Sequence, residues 1–394
     1  MKRAWIGALF FLGQWQKEIK NMEKIMQQEH TSWIREELDR CCAILEKNME
    51  KFGDEFPSAC ATDGHYRIKK NDDWTNGFWT GMLWIAYEYT GKEQFKEQAM
   101  RNLESFEKRL DDHFVLDHHD IGFLYSLSAG GGLRILNREE DKKMLLRAAD
   151  VLAARFQETG GFIQAWGKMG EENEYRLIID SLLNLPLLYR AAELSGEDSY
   201  REKADRHYKN VIQNIVRKDN STYHTFYFDP RTGLPSHGAT HQGFSDESCW
   251  ARGQAWAILG MPLNARISGN PMNEEEQRIY QRVVKYFEEH LPEDKMPYWD
   301  LIFTEGTEPR DSSALAIAAC GMMETGCDER AEEMLNVLKE QASSVTEPDS
   351  EGMLLHGVYA YAEGKGVDEP NLWGDYFYME ALYRILNPKW TPYW

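Results

Sequence analysis

The sequence predicts an all-α protein whose fold is an (α/α)6 barrel, a ring of six inner helices surrounded by six outer helices. The first observation is that six stretches are apolar on nearly every side, yet each opens with a polar or charged residue. These openings fall 44 to 68 residues apart, which leaves room for one further helix in each interval. A recurrence of this kind indicates stacked helical hairpins. The six openings are Asn76, Asp120, Asp180, Ser248, Asp311 and Asp375.

The second observation is that charge-rich segments with a single apolar stripe alternate with these stretches. In chain order, residues 31–52 form the first expected outer helix, and NGFWTGMLWIAYEYTG forms the first inner one. KEQFKEQAMRNLESFEKRL then precedes DIGFLYSLSAGGG, and REEDKKMLLRAADVLAARF precedes DSLLNLPLLYRAAELSG. The last three inner stretches read SCWARGQAWAILGM, DSSALAIAACGMMETG and DYFYMEALYRIL. All-round apolarity indicates a helix packed on every side, whereas a one-sided stripe indicates a helix that faces solvent.

Bulk properties describe one globular domain. The chain has 394 residues, 42% of them apolar, and no linker rich in Pro, Ser or Gly divides it, so we predict a single barrel over residues 31–394. The formal charge of −20 argues against nucleic acid or anionic membranes as partners. The six cysteines form no C-x-x-C pair and no zinc spacing, as is typical of reduced thiols in a cytoplasmic protein.

Residues 1–30 are predicted to be a leader outside the barrel. MKRAWIGALFFLGQWQKE has the basic start and the apolar run of a signal peptide, but no small-x-small cleavage site follows. The apolar run is also too short to span a bilayer. The pattern therefore favours a weakly structured leader, or an upstream start codon, over an export signal.

Inner helices that all run the same way bring their polar openings together at one end of the barrel. Carboxylates at such a rim need partners, because an unpaired buried charge is costly. For Asp311 and Asp375 we expect helix N-caps, since an aspartate at a helix start accepts backbone N–H bonds and suits the helix dipole.

Asp180 is the strongest candidate for proton transfer. It lies in IIDSLLNLPLLY, where apolar neighbours on both sides raise a carboxyl pKa by desolvation. A carboxylic acid that gives and takes protons near neutral pH is what general acid/base catalysis needs. A hydrogen-bonded structural carboxyl is the alternative. Asn184, one turn further along, is placed to orient Asp180 or to bind a ligand hydroxyl.

Aromatic and polar residues near the same openings favour a sugar ligand. DDWTNGFWTG sets Trp74 and two further aromatic residues around Asn76, and aromatic faces cover sugar C–H bonds while polar groups bind hydroxyls. Core packing is the alternative for these rings, and DDWTNGFWTG taken alone favours it. Arg252 and Trp256 share a helix face, and Arg252 suits either a ligand carboxylate or a rim aspartate. Lys365 lies in a loop of the kind that forms outer subsites.

The adjacent residues His118, His119 and Asp120 raise the question of a metal site. Neighbouring side chains in an extended segment point apart, and no H-E-x-x-H or similar spacing is present. We therefore predict no metal and no other cofactor, and we expect Asp120 to hydrogen-bond a polar ligand.

Five motifs carry a family resemblance: DDWTNGFWTGMLWIAYEYTG, HHDIGFLYSLS, IIDSLLNLPLLY, DESCWARGQAWAILG and LLHGVYAYAEGKGVDEPNLWGDYFYMEAL. Together they resemble the unsaturated glucuronyl hydrolases, glycoside hydrolase family 88. The resemblance implies the same (α/α)6 barrel and an activity on oligosaccharides left by polysaccharide lyases, whose non-reducing end is a 4,5-unsaturated glucuronic acid. It also implies hydration of that double bond without a metal.

The resemblance further implies residue roles. Asp180 matches the catalytic aspartate of the family, and Asp120 matches its second essential aspartate. The residues that match those lining the subsite of the unsaturated sugar are Trp74, His119, Trp166, His224, Gln242, Arg252 and Trp256.

One loop departs from the family members that act on sulfated fragments. Those members resemble one another in an S-x-x-S-x-K loop before the last inner helix and in an Arg before the Gln of the fourth motif. Here the loop reads AYAEGK from Ala360 to Lys365, and His241 precedes Gln242. Both serines are absent and Glu363 stands in the loop, so we expect unsulfated substrates to be preferred.

Three other functions remain open. The unsaturated rhamnogalacturonyl hydrolases of family 105 share the fold and the chemistry, although WTNGFWTG and WARGQAW fit family 88 better. A sugar epimerase on the same barrel would use a histidine pair, for which His119 and His224 are the candidates. A non-catalytic sugar-binding barrel is the third alternative, and the intact aspartates at 120 and 180 argue against it.

Overall fold

The computed structural model describes residues 31–394, in which the helices alternate between an outer and an inner layer. The outer helices are α1 (Ser32–Phe52), α3 (Glu93–Asp111), α6 (Glu139–Ala153), α8 (Asp198–Asn214), α10 (Glu274–Glu289) and α12 (Asp328–Ala342). The inner helices are α2 (Asn76–Thr90), α4 and α5 (Ile121–Tyr125 and Gly131–Leu136, joined by the π-helical turn Ser126–Gly130), α7 (Leu185–Ser195), α9 (Ala251–Ser268), α11 (Ser312–Glu324) and α13 (Leu372–Leu386). Helix α13 packs against both α1 and α2, which closes the ring. The predicted (α/α)6 barrel is confirmed.

Burial separates the two layers in the way that the apolar patterns predicted. All residues of α11 from Ser312 to Met323 are buried. The outer helix α10 buries a single stripe, which consists of Tyr280, Val283, Val284 and Phe287. Full burial of a large apolar side chain stabilises a fold by about 1.5–3 kcal/mol. The inner layer therefore contributes most of the core, and each outer helix contributes one face.

Two glycines let the first inner helices approach closely at the ends where they begin. A Cβ atom on Gly77 would lie 1.9 Å from the backbone oxygen of Phe123, and one on Gly122 would lie 2.4 Å from the Cα of Asn184. Both distances are far inside van der Waals contact, so a larger residue requires the backbone to move. The two close approaches bring the starts of α2 and α4 and the turn before α7 together.

Only one of the two aspartates expected to be helix caps occupies a cap position. Asp375 lies inside the first turn of α13, and Asn371 caps that helix instead. The Asp375 carboxylate accepts the N–H groups of Met353 and Leu354 at 2.8 and 3.0 Å, so the cap interpretation is wrong for this residue. Asp311 does occupy the cap position of α11, but its carboxylate is used in an ion pair.

Short antiparallel strands precede several inner helices. They are β1 (Phe56–Pro57), β2 (Ile68–Lys69), β3 (Phe156–Gln157), β4 (Phe162–Ile163), β5 (Arg176–Ile178), β6 (Thr225–Phe228), β7 (Pro235–Ala239), β8 (Gly357–Ala360) and β9 (Lys365–Glu369). They pair as β1–β2, β3–β4, β5–β6–β7 and β8–β9. They were not predictable from the sequence, because strands of two to five residues show too little periodicity. They extend the barrel wall at the end where the inner helices begin.

The predicted leader, residues 1–30, lies outside the described residues, and the domain boundary at residue 30 stays a prediction. Within residues 31–394, no helix combines the length and the apolarity needed to cross a membrane. All six cysteines are free and five of them are buried, in agreement with the expected reduced thiols.

Candidate active site

His119 lies between two carboxylates at the end of the barrel where the inner helices begin. Its Nε2 atom is 3.3 Å from Oδ1 of Asp120 and 3.3 Å from Oδ1 of Asp180. Asp120 occupies the cap position of α4, and Asp180 lies in the 3₁₀ turn Ile179–Leu183 that leads into α7. His119 is fully buried, whereas 16% of the Asp180 side chain stays accessible. The cluster therefore meets solvent through Asp180.

Hydrogen bonds between separate segments hold this cluster together. Oδ1 of Asn184 accepts the N–H of Phe123 at 2.9 Å, which ties the start of α4 to the turn before α7. The N–H of Ile179 donates to the backbone oxygen of His224 at 3.0 Å. Nδ2 of Asn184 lies 3.4 Å from the backbone oxygen of Asp180. Asn184 is thus placed to orient the segment that carries Asp180, which is one of the two roles expected for it.

The three groups of the cluster have pKa values shifted in different directions. Burial, reinforced by the neighbouring Asp120 carboxylate, raises the pKa of Asp180 well above its usual range. Burial opposes ionisation of Asp120 too, but His119 and His118 outweigh it and lower the pKa of that carboxyl. Burial lowers the pKa of His119 to about 4, so its ring is neutral at neutral pH. Adjacent carboxyls whose pKa values are pushed apart suit a proton donor beside an ionised partner.

Arg252 is a buried cation at this end of the barrel. Its guanidinium is 1% exposed, and it donates to Oδ2 of Asp311 at 3.2 Å and to Oε1 of Gln242 at 2.6 Å. The backbone oxygens of Val358 and Tyr359 in β8 also accept hydrogen bonds from it. Of the two alternatives considered for Arg252, the structure contains the ion pair with a rim aspartate.

Two tryptophan rings enclose the same guanidinium. The Cζ atom of Arg252 lies 4.4 Å from the ring centroid of Trp250 and 4.7 Å from that of Trp373, within the range of cation–π attraction. The positive charge of Arg252 opposes the rise in the pKa of Asp180, so the two side chains are within electrostatic reach. Direct binding of a ligand carboxylate by Arg252 stays a prediction.

His224 is held as a neutral hydrogen-bond donor. Its Nδ1 accepts the N–H groups of His241 and Gln242 at 2.9 and 3.3 Å, so the hydrogen of the neutral ring is on Nε2. Burial lowers the pKa of His224 well below its usual range. Nε2 can therefore donate to an acceptor at neutral pH but cannot take up a proton.

Aromatic rings pack against one another beside the site. The ring centroid of Phe123 lies 5.4 Å from that of Trp74 and 5.5 Å from that of Trp256. Trp74 stacks on Trp373 at 5.3 Å, and its Nε1 donates to the hydroxyl of Tyr359 at 2.9 Å. Trp74 is only partly buried and is accessible to a ligand. Trp256 is buried, and its predicted contact with a sugar stays a prediction.

Trp166 lies near the site because the residue before it, Ala165, binds His119. The N–H of His119 donates to the backbone oxygen of Ala165 at 2.9 Å. The Cζ atom of Arg176 lies 4.8 Å from the Trp166 ring centroid, and Nη1 of Arg176 lies 2.7 Å from Nε2 of His241. Arg176 thus adds a second cation. It could not be recognised from the sequence, because a single arginine in the short strand β5 belongs to no motif.

Lys365 lies on a hairpin that borders the site. It lies at the start of β9, and its Nζ is 4.0 Å from the ring centroid of Tyr359 in β8. The β8–β9 hairpin thus carries both Lys365 and the backbone oxygens that bind Arg252. We call the end of the barrel where the inner helices begin its mouth. Around the mouth the structure brings together Trp74, His119, Asp120, Trp166, Asp180, His224, Gln242, Arg252 and Lys365.

His119, Asp120 and Asp180 also form the one group in residues 31–394 whose spacing could hold a metal ion, with ligand atoms within 4.8 Å of one another. Carboxylates must be deprotonated to bind a metal, whereas burial favours the protonated form of Asp180. The absence of a metal from the reaction stays a prediction.

Comparison with known proteins decides the family. A family model described as Glycosyl Hydrolase Family 88 matches residues 48–385. The chain belongs to glycoside hydrolase family 88. A relative from Streptococcus pyogenes serotype M1, named unsaturated chondroitin disaccharide hydrolase, is 44% identical over 392 residues, which cover 95% of this chain and 97% of the relative.

Solved structures agree with this family 88 assignment. The structure of the unsaturated glucuronyl hydrolase from Streptococcus agalactiae has a TM-score of 0.89 and 44% identity, and the match covers 92% of this chain and 94% of that one. A structure of an unsaturated glucuronyl hydrolase (UGL) variant with the saccharide dGlcA-Glc-Rha-Glc, in which dGlcA is the unsaturated glucuronic acid, has a TM-score of 0.87 and 41% identity. The match covers 91% of this chain and 98% of that one. The family resemblance of the motifs is confirmed, and the chain is a glycoside hydrolase.

Proposed function

We propose that this family 88 enzyme removes a 4,5-unsaturated glucuronic acid from the non-reducing end of oligosaccharides that polysaccharide lyases release. The observation that carries the proposal is Asp180, a carboxyl with a raised pKa beside the ionised Asp120 at the mouth of the barrel. The relatives named unsaturated chondroitin disaccharide hydrolase and unsaturated glucuronyl hydrolase support it.

Asp180 acts as both acid and base in the proposed reaction. Its protonated form delivers the proton to C4 of the enol ether while positive charge develops at C5. The resulting carboxylate then takes a proton from the water that adds to C5, and Asp180 ends as it began. The hemiketal so formed rearranges and releases the rest of the saccharide. Because one residue serves both steps, the carboxylate-separation rule of ordinary glycosidases does not apply.

The surrounding side chains bind and orient the sugar. Asp120 accepts hydrogen bonds from ring hydroxyls, and its negative charge keeps Asp180 protonated. His224 donates from Nε2. Arg252, whose donors bind Asp311, Gln242 and β8, attracts the substrate carboxylate through its charge.

The geometry does not favour the epimerase alternative. Such an enzyme needs two bases that exchange protons with the sugar. The pKa of His119 is lowered to about 4, and Nδ1 of His224 is occupied by two backbone N–H groups. The two histidines are therefore weak bases at neutral pH.

A substrate panel tests the proposed function. The purified chain is incubated with lyase-generated unsaturated glucuronyl disaccharides and with unsaturated rhamnogalacturonyl fragments, and loss of the double-bond absorbance is followed. We expect turnover of the glucuronyl substrates. Preferential turnover of the pectin fragments would instead favour the family 105 activity, and binding without loss of absorbance would indicate a non-catalytic barrel.

We also propose a cytoplasmic location, which the six free cysteines support. Fractionation of the native host, with the enzyme followed by antibody, tests this proposal, and recovery from the culture medium would contradict it.

A further inference from the structure

Four aromatic residues form a packed group beside the mouth of the site, and two of them are exposed. Phe244 is 56% exposed and Tyr361 is 39% exposed. The ring of Phe244 lies 5.2 Å from that of Phe303, and the ring of Tyr361 stacks on that of Trp299 at 4.2 Å with planes 16° apart. Trp299 and Phe303 are 5.9 Å apart and join the two ends. We name Phe244, Trp299, Phe303 and Tyr361 the aromatic shelf.

The aromatic shelf begins where the candidate active site ends. Phe244 follows Gln242 by two residues, and Tyr361 follows Tyr359 by two. Arg252 donates to Oε1 of Gln242 and to the backbone oxygen of Tyr359, at 2.6 and 2.8 Å. One guanidinium therefore fixes both segments that lead from the mouth to the shelf.

The shelf is preformed although the rings of Phe244 and Tyr361 are exposed. The N–H of Phe244 donates to Oδ2 of the buried Asp300 at 2.9 Å, and the hydroxyl of Ser248 donates to the same oxygen at 2.7 Å. Trp299, beneath Tyr361, is 2% exposed. A surface that is already ordered loses little conformational freedom when a ligand binds.

Exposed apolar residues are concentrated here. Within residues 31–394, three of the nine exposed large hydrophobic residues belong to the shelf or adjoin it, namely Phe244, Ile302 and Tyr361. Contiguous exposed apolar groups mark binding surfaces more often than scattered ones do.

Carboxylates border the shelf and restrict the charge of its ligand. Oε2 of Glu308 accepts a hydrogen bond from Nε1 of Trp299 at 3.2 Å, and Glu363 ends the 3₁₀ turn that begins at Tyr361. Like charges repel, so the shelf suits an uncharged ligand better than an anionic one.

We propose that the aromatic shelf binds an uncharged sugar on the reducing-end side of the cleaved bond, and so extends the site from a disaccharide to a longer saccharide. The inference rests on the proposed function, which supplies the unsaturated sugar at the mouth. An aromatic ring covers the C–H face of a pyranose and leaves its hydroxyls in water. The substrates concerned are unsaturated oligosaccharides with neutral sugars after the first residue.

The test compares kcat/KM for the disaccharide dGlcA-Glc and the tetrasaccharide dGlcA-Glc-Rha-Glc. We expect the parent chain to prefer the tetrasaccharide. Phe244→Ser and Tyr361→Ser should each lower the ratio of tetrasaccharide to disaccharide kcat/KM by about 3- to 10-fold, whereas Tyr361→Phe should preserve it. Val345→Ser is the matched control, because Val345 is 59% exposed in the turn after α12 and lies outside the shelf.

The outcomes separate the two proposals. If the parent turns over both saccharides and neither serine substitution changes the ratio, the shelf proposal is overturned while the proposed function stands. If the parent turns over neither saccharide, the proposed function fails and the shelf proposal fails with it. A fall in the ratio for both serine variants, with none for Tyr361→Phe and Val345→Ser, supports the shelf.

Discussion

Nε2 of His207 lies 2.7 Å from Oγ of Ser181, the residue that follows Asp180. The N–H of Ile163 donates to Nδ1 of the same ring at 2.8 Å. Nε2 therefore carries the hydrogen and donates to Ser181, whose hydroxyl donates to the backbone oxygen of Ile178 at 2.5 Å. Burial lowers the pKa of His207 to about 3, which keeps the ring neutral. The outer helix α8 thus holds the turn that carries Asp180.

His207→Ala is expected to lower kcat more than it raises KM, because the Asp180 turn loses its support. The substitution also leaves the buried N–H of Ile163 and the hydroxyl of Ser181 without this partner, so the free energy of unfolding should fall by about 1–3 kcal/mol. His207→Gln, which keeps a donor and an acceptor, should recover part of both losses. Kinetics and denaturant unfolding of the same samples check this. An unchanged kcat in the folded fraction of His207→Ala would contradict a positioning role.

Asp180→Asn is expected to abolish turnover and to leave the fold and substrate binding largely intact. The amide keeps the shape of the side chain but can neither donate a carboxylic proton nor activate water. General acid/base groups contribute about a hundredfold or more in rate, so residual activity above about one hundredth of the parent would refute the assignment. Asp120→Asn should also be severely impaired. Asp229→Asn, at a solvent-exposed turn, is the matched control.

Asp180 should also make the stability of the fold depend on pH. Its pKa is raised in the folded chain, so its stabilising contribution is fully present below the unfolded pKa, about 3.9, and is lost as pH rises through the folded pKa. Asp180→Asn removes this loss of stability at higher pH, because the amide does not ionise. We expect the variant to have a higher Tm than the parent at about pH 8, with a difference that shrinks towards pH 4. Calorimetric scans across this range check it, and a difference independent of pH would contradict it.

The layers of the barrel were predictable because each helix carries its own pattern. The first inner helix begins at Asn76 as predicted, since its apolar residues are local in sequence. Asp375 was misinterpreted because its partners, the N–H groups of Met353 and Leu354, come from a different loop. Long-range partners of this kind leave no local trace in a sequence.

The same difference between local patterns and long-range contacts decides which residues of the candidate active site could be predicted. Asp180 could be found because its apolar neighbours are adjacent in the chain. His207 and Arg176 could not, since one lies in a polar outer helix and the other in a three-residue strand. Their importance depends on contacts with Ser181 and His241, which only the folded chain brings within reach.

Chelators are expected to leave turnover unchanged. His119, Asp120 and Asp180 are close enough to hold a cation, but a cation bound there would deprotonate Asp180, and the proposed reaction needs its acidic proton. Hydration of an enol ether needs a proton donor rather than a Lewis acid. Dialysis against EDTA, followed by assay and elemental analysis, checks this expectation. Activity lost with EDTA and restored by a divalent ion would overturn it.

Sulfated substrates are expected to meet a repulsive charge in the loop before α13. Glu363 ends an exposed 3₁₀ turn, and its charge opposes the lowering of the pKa of His241 that burial and Arg176 cause. Glu363 is therefore within electrostatic reach of the mouth. Lys365 lies over the ring of Tyr359. A sulfate in this subsite meets the Glu363 carboxylate and lacks the two serine hydroxyls that the resemblance associates with sulfate binding.

We therefore expect kcat/KM for an unsulfated unsaturated disaccharide to exceed that for its 6-sulfated counterpart by about tenfold or more. A missing hydrogen bond to a charged group costs about 1.5–3 kcal/mol, and like-charge repulsion adds to it. Ala360→Ser combined with Glu363→Ser should narrow this difference in kcat/KM, because it adds hydroxyl donors and removes the Glu363 charge. Ala360→Ser alone adds a donor but keeps the charge, so it shows how much of the effect the donor supplies. Faster turnover of the 6-sulfated disaccharide by the parent would show that the loop from Ala360 to Lys365 does not disfavour sulfate. Arg176, 2.7 Å from His241, would then be the first residue to test as the sulfate ligand.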